Sequence, residues 1–205
     1  MVQKTMLDEN SSDSHASLRK AVKFVAVANL AYFFVEFGIA RRIGSVSLFA
    51  DSIDFLEDTM VNFLILMALS WSLTRRAQVG KLLSLILLVP GLAVVWSAWQ
   101  KFQIPAAPEP FSLSATGAGA LAVNLCCALV LARFRHHSGS LTRAAFLSAR
   151  NDAVANIAIV AAGLLTVWVG TGWPDLVVGL GIAAMNADAA SDVWKAAARE
   201  GSVRS

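Results

Sequence analysis

The sequence predicts an all-α membrane protein: a bundle of six transmembrane helices with both termini in the cytosol. Three observations predict it. Apolar residues make up 57% of the 205-residue chain and charged residues 15%, against about a quarter charged in soluble domains. The mean hydropathy of +0.61 is spread over several apolar blocks, and the length suffices for six spans at ~20 residues each. Lysine and arginine are lopsided: all but Arg41, Arg42 and Lys101 precede the first block, follow the last, or lie around the second–third and fourth–fifth connections. That bias marks those segments as cytosolic.

Each element follows from local composition. Residues 1–18 are polar, with no apolar core or cleavage pattern, and read as a disordered cytosolic tail rather than a signal peptide. The helical domain is expected over 19–196, leaving a short cytosolic tail at 197–205 and no further cytosolic domain. Span one runs about Val22 to Ala40, and Arg41, Arg42 and Gly44 connect it to span two, about Ser47 to Leu73. Span three, about Val79 to Trp99, carries Pro90-Gly91 in its middle, where a kink is expected. Pro105, Pro108 and Pro110 mark a loop. Span four, about Leu113 to Leu131, has Gly117, Gly119 and Ala120 for close helix contact. The basic loop Arg133, Arg135, His136, His137 and Arg143 leads to span five, about Thr142 to Gly170. Gly172-Trp173-Pro174 turns the chain into span six, about Asp175 to Ala190, ending in the amphipathic Asp188, Asp192, Trp194 and Lys195. Trp71, Trp99, Trp173 and Trp194 fall near span ends, as interfacial anchors do. Cys126 and Cys127, adjacent within an apolar run, suit neither a disulfide framework nor a metal knuckle and read as packing residues.

Span two holds the chemistry. Asp51, Asp54 and Asp58 recur at i, i+3 and i+7, stacking along one helix face. A solvated face is the ordinary meaning of such a stripe, but the apolar flanks on both sides argue against it. Inside a bilayer each ionised carboxylate costs ~2.5–3.5 kcal/mol on insertion scales, and such acids mark ion or proton paths. On span five Ser148, Asp152 and Asn156 share a face at i, i+4 and i+8. The two spans are antiparallel, which brings Asp54 level with Asp152 and Asp58 with Ser148. Three carboxylates and a hydroxyl then form a cage for a divalent cation. Protons and the cation compete for the same oxygens, which is the requirement of an exchanger. No phosphate loop is present, so the coupling falls to a proton gradient and no prosthetic group is needed.

The pattern Glu36, Ser45, Leu48, Ala50-Asp51 and Asp54-x-x-x-Asp58 resembles the first two helices of the cation diffusion facilitator family. Asn29 and Asn124 also stand where that family often has asparagine. The resemblance covers about residues 20–195. It implies a metal site made of a His/Asp-x-x-x-Asp pair on helix two and another on helix five, with proton antiport, matched here by Asp54, Asp58 and Asp152. Two departures count. Ser148 replaces the usual His or Asp, making the site all-oxygen and a weak or water-mediated fourth ligand. No counterpart of the family's cytosolic metal-binding domain is expected after span six, so a homodimer would form through the membrane helices. Family habit implies Zn²⁺, whereas oxygen ligands favour Mn²⁺ or another harder cation. The implied setting is a bacterial inner membrane, with the lipid bilayer, protons and metal ion as partners and no nucleic acid.

The remaining polar residues have quieter roles. Asp51, Glu36 and Asn156 read as path or structural residues. Arg150, two residues before Asp152, is expected either to pair with Glu57 off the metal face or to snorkel to the surface. His136 and His137 read as a solvated turn. A membrane prenyltransferase would need a second aspartate-rich motif, for which Asp188-x-x-x-Asp192 is a poor stand-in. A membrane aspartyl protease would need Gly-x-Gly-Asp, and Gly179-Leu-Gly181 is followed by Ile182. A non-transporting subunit of the same family remains the rival that Ser148 supports.

Overall fold

The computed structural model describes residues 2–68, 92–134 and 139–186, with side chains over 16–67, 92–134 and 150–186. Among these it is helical, with α1 (Val2–Ile43), α2 (Val46–Ala68), α3 (92–103), α4 (Pro110–Ala132), α5 (Gly139–Val169) and α6 (173–186). The disordered tail expected over 1–18 is instead the first part of α1. That stretch holds no proline or glycine to break a helix nucleated in the apolar part. The Pro90-Gly91 kink, Trp71, most of the basic loop with its two histidines, and Asp188, Asp192, Trp194 and Lys195 lie outside the described residues.

Among the described residues, both helix reversals with a left-handed residue use glycine. Gly44, at φ +66°, ends α1, and Ser45 N donates to Ala40 O at 3.0 Å, the six-to-one bond of a Schellman cap. Gly170, at φ +67°, ends α5 with Gly170 N donating to Thr166 O at 2.9 Å. Glu109 caps α4, its carboxylate accepting from Phe111 N at 2.9 Å and Ser112 N at 2.6 Å, with Pro110 pre-set in the first turn.

Contacts fix the directions. Lys101 near the end of α3 reaches Gly44 at the end of α1, and Asp175 at the start of α6 reaches Val46 and Ser47 at the start of α2. Gly117 of α4 lies against Ile159 and Val160 of α5, and Gly163 of α5 against Ser114 and Pro110 of α4. So α1, α3 and α5 run toward the end that carries Gly44, Lys101 and Asp175, while α2, α4 and α6 run away from it. α1 packs extensively on α2 and α4 on α5, with α2 also touching α5 and α4.

Among the described residues two large apolar clusters fill the bundle, with a small third of Val46, Ala98 and Leu176 beside them. One gathers Leu48, Phe49, Ile53, Leu113, Ile159 and Ile182 from α2, α4, α5 and α6. The other, farther along α2, joins Leu18, Val22 and Val25 of α1 to Ile65, Cys127 and Leu131. Large apolar side chains also cover the outside: Phe34, Leu129 and Trp168 are 65%, 71% and 88% exposed. An outer surface of this kind suits lipid contact. Among the described residues, Ala16–Ile43, Pro110–Ala132 and Arg150–Val169 are long and apolar enough to cross a membrane. α2 is long enough as well, but Asp51, Asp54, Glu57 and Asp58 interrupt its apolarity. The long helix whose apolar run is broken by acids is the one that carries the chemistry.

Candidate functional site

Asp175 sets the height and rotation of α2. It is fully buried, and its Oδ1 accepts from Ser45 Oγ at 2.6 Å, Ser47 Oγ at 2.6 Å and Ser47 N at 3.1 Å. Its Oδ2 accepts from Val46 N at 2.9 Å and lies 3.5 Å from Lys101 Nζ. Ser45 Oγ in turn accepts from Leu48 N at 3.1 Å, as an N-cap serine does. The first turn of α2 thus presents its free N–H groups to a carboxylate, which also suits the positive end of the helix dipole. Lys101 closes the group by donating to Gly44 O at 2.6 Å. Sequence reasoning took Asp175 and Lys101 only as a span start and a loop cation. Their pairing joins positions far apart in the chain, and local patterns carry no trace of it.

Farther along, α2, α5 and α6 enclose a cavity of about 120 Å³. Asp54, Glu57 and Asp58 line it from α2, Asn151, Asp152 and Ala155 from α5, and Ile182, Met185 and Asn186 from α6. The three aspartates expected to meet do share one chamber. Glu57 joins them because i, i+3 and i+4 fall on one helix face. Two placements were open for Arg150: paired with Glu57 off that face, or at the surface. Arg150 is exposed, in keeping with the second, and the ion pair found among the described residues is Lys101–Asp175. Arg150 stands about 200° around α5 from Asp152, so a helix that turns Asp152 inward turns Arg150 out. Among the described residues no three His, Cys, Asp or Glu side chains are gathered closely enough to hold a metal ion. The chamber is an acidic vestibule that side-chain rotation would have to tighten. Ser148 lies on α5 within the part whose side chains are outside the described residues.

Asp58 is held from α1. Asn29 Nδ2 donates to Asp58 Oδ2 at 3.3 Å, and Cys127 Sγ donates to Asn29 Oδ1 at 3.5 Å. Asn62 Nδ2 also donates to Asp58 O at 2.8 Å. Cys127 is a packing residue, as expected, and in addition orients Asn29. Asp51 and Glu36 do not line the chamber. They are fully buried neighbours across the α1–α2 seam, each carboxyl group within reach of the other. Tyr32, beside them, donates to Thr116 O at 2.6 Å. Asn156 is buried and turns back on its own helix, Nδ2 donating to Asp152 O at 2.8 Å.

A larger cavity of about 650 Å³ lies at the other end, between Arg41, Phe49, Trp96, Trp99 and Lys101. Two cations line it, which makes it a poor place for a third. The acidic chamber is the site with chemistry for a cation.

Comparison with known families agrees. The model of the cation efflux transmembrane domain matches residues 22–200. No curated protein gives a significant match. The matched stretch takes in every residue of the chamber, and members of this family carry cations across membranes. The chain therefore belongs to the cation efflux family.

Proposed function

We propose that this protein exports a divalent cation from the cytosol in exchange for protons, through six membrane spans with both termini cytosolic. The observation that supports this reading best is the chamber between α2, α5 and α6, where Asp54, Glu57, Asp58 and Asp152 from two helices face one small space. Carboxylates held together away from water repel one another, and a proton or a doubly charged ion relieves that repulsion. Because the two relieve it at the same oxygens, binding one expels the other, and the site couples the two movements. Asp54, Asp58 and Asp152 are the proposed ligands, with Ser148 a weak or water-mediated fourth. Glu57 supplies further negative charge. Glu36 and Asp51 lie off the chamber as path or structural acids, and a homodimer forms through the membrane helices.

Zn²⁺ is the cargo that family habit supports. The chamber's lining favours Mn²⁺, since its polar atoms are carboxylate and amide oxygens, with the Met185 thioether as the one sulfur among the described lining residues. The setting proposed is a bacterial inner membrane, and the protein carries out no enzymatic reaction.

The test is flux in vesicles reconstituted with the full chain, offering Zn²⁺, Mn²⁺, Fe²⁺, Co²⁺ or Cd²⁺ and following internal pH. Cation entry coupled to proton movement is expected, and Asp58→Ala should abolish it in protein that still inserts. Vesicles silent to all five cations would replace this reading with that of a non-transporting subunit. The lack of a closed three-acid cluster among the described residues is the observation on that side.

A further inference from the structure

We infer that Asn186 of α6 is a cation ligand of the chamber and sets its preference among divalent ions. The inference rests on the transport site proposed above and adds a third helix to it.

The argument begins at the far end of α6. Asp175 binds the first turn of α2, and Gly179 lies so close to it that a Cβ there would come 2.8 Å from both Ser47 N and Val46 C. The two helices run in the same direction and are pinned side by side at this point. Asp175, Gly179, Ile182 and Asn186 are spaced four, three and four residues apart, one continuous face of α6. From Ser47 to Asp58 and from Asp175 to Asn186 is the same number of residues, a rise of ~16 Å in each helix at about 1.5 Å per residue. Asn186 therefore comes level with Asp58, and it lines the chamber with Ile182 and Met185.

Its chemistry there is specific. An amide oxygen is a neutral, hard donor, of the kind found in Mn²⁺, Mg²⁺ and Ca²⁺ sites. It adds a ligand without adding charge to a chamber that already holds four acids. It also takes no proton over the physiological range, so it contributes to holding the cation and not to the exchange. Histidine at the same place would favour Zn²⁺.

The experiment compares the full chain with Asn186→Ala, Asn186→Asp and Asn186→His in vesicles, measuring KM and kcat for Mn²⁺ alone and Zn²⁺ alone. Asn186→Ala should raise the KM for Mn²⁺ about tenfold or more and the KM for Zn²⁺ less. Asn186→His should reverse the preference toward Zn²⁺, and Asn186→Asp, which keeps a side-chain oxygen, should retain Mn²⁺ transport. A merely structural asparagine would change both KM values by the same factor, and an unchanged Mn²⁺/Zn²⁺ ratio in Asn186→His overturns the inference. Should Asn186→Ala fail to insert, the two variants of similar size still decide the matter. Asp58→Ala separates the two levels. If it abolishes flux while the Asn186 variants keep the wild-type ratio, only the role of Asn186 falls. If Asp58→Ala transports normally, the site itself is wrong.

Discussion

Ser47 is tied to Asp175 twice: its hydroxyl donates to Asp175 Oδ1 at 2.6 Å and its backbone N–H to the same oxygen at 3.1 Å. One carboxylate on α6 therefore holds the start of α2, and the whole acidic face of α2 inherits its position. Asp175→Ala would leave Lys101 buried without its counter-charge and the first N–H groups of α2 without their acceptor. A loss of about 3 kcal/mol is expected, at the low end for breaking a buried pair. Thermal unfolding in detergent measures it, and Asp175→Asn, which keeps an acceptor oxygen, should recover part of the loss.

Gly179 tests the same joint by volume. A Cβ there meets backbone atoms of Val46 and Ser47 at 2.8 Å, and backbone cannot rotate aside. Gly179→Ala should cost about 1–3 kcal/mol, the usual range for overpacking. It should also lower flux, because α2 must shift against α6. A variant with unchanged melting temperature and unchanged flux would show the joint to be looser than this spacing allows.

Asn29 is expected to act through Asp58. Asn29→Ala removes the amide that donates to Asp58 Oδ2, and the cation KM should rise about tenfold, the scale seen for groups that orient metal ligands. Cys127→Ser keeps a donor toward Asn29 Oδ1 and should transport nearly as the parent does. Equal KM values for Asn29→Ala and the parent would show that Asp58 needs no such support.

Glu109, in the loop before α4, gives the pH dependence. Its carboxyl is held below the ordinary 4.5 by its hydrogen bonds with Ser112, and then by the Phe111 N–H. A depressed carboxyl stabilises the folded form above its unfolded value, and the contribution fades as pH falls through the folded one. Glu109→Gln should therefore melt lower than the parent at neutral pH, with the gap closing in the acid range. A gap that persists or widens on acidification would contradict the cap.

The helical class, the breaks at Gly44, Gly170 and the proline loop, and the Asp54–Asp58–Asp152 set were legible in the sequence because each is a local or periodic property. Hydropathy blocks mark helices, and a fixed spacing of acids marks one face. The extent of α1 was not legible, since polar residues without proline or glycine fit a tail and a helix equally well. The place of Glu57 was left open because spacing gives a residue's angle on its own helix but not the direction of the neighbour. Asn151 and Asn186 carried no signal at all, as an amide on a helix is ordinary until the partner helix is known.

The amino acids alone thus determined which helices bear acidic faces and that a cation is what those faces can attract. Only the tertiary structure decided that Asp175 pins α2 to α6, that Glu57 turns into the chamber and Arg150 out of it, and that Asn186 stands level with Asp58. Those outcomes depend on how separate helices are rotated and raised against one another. Contacts between distant residues set that arrangement, and no single stretch of the chain encodes it.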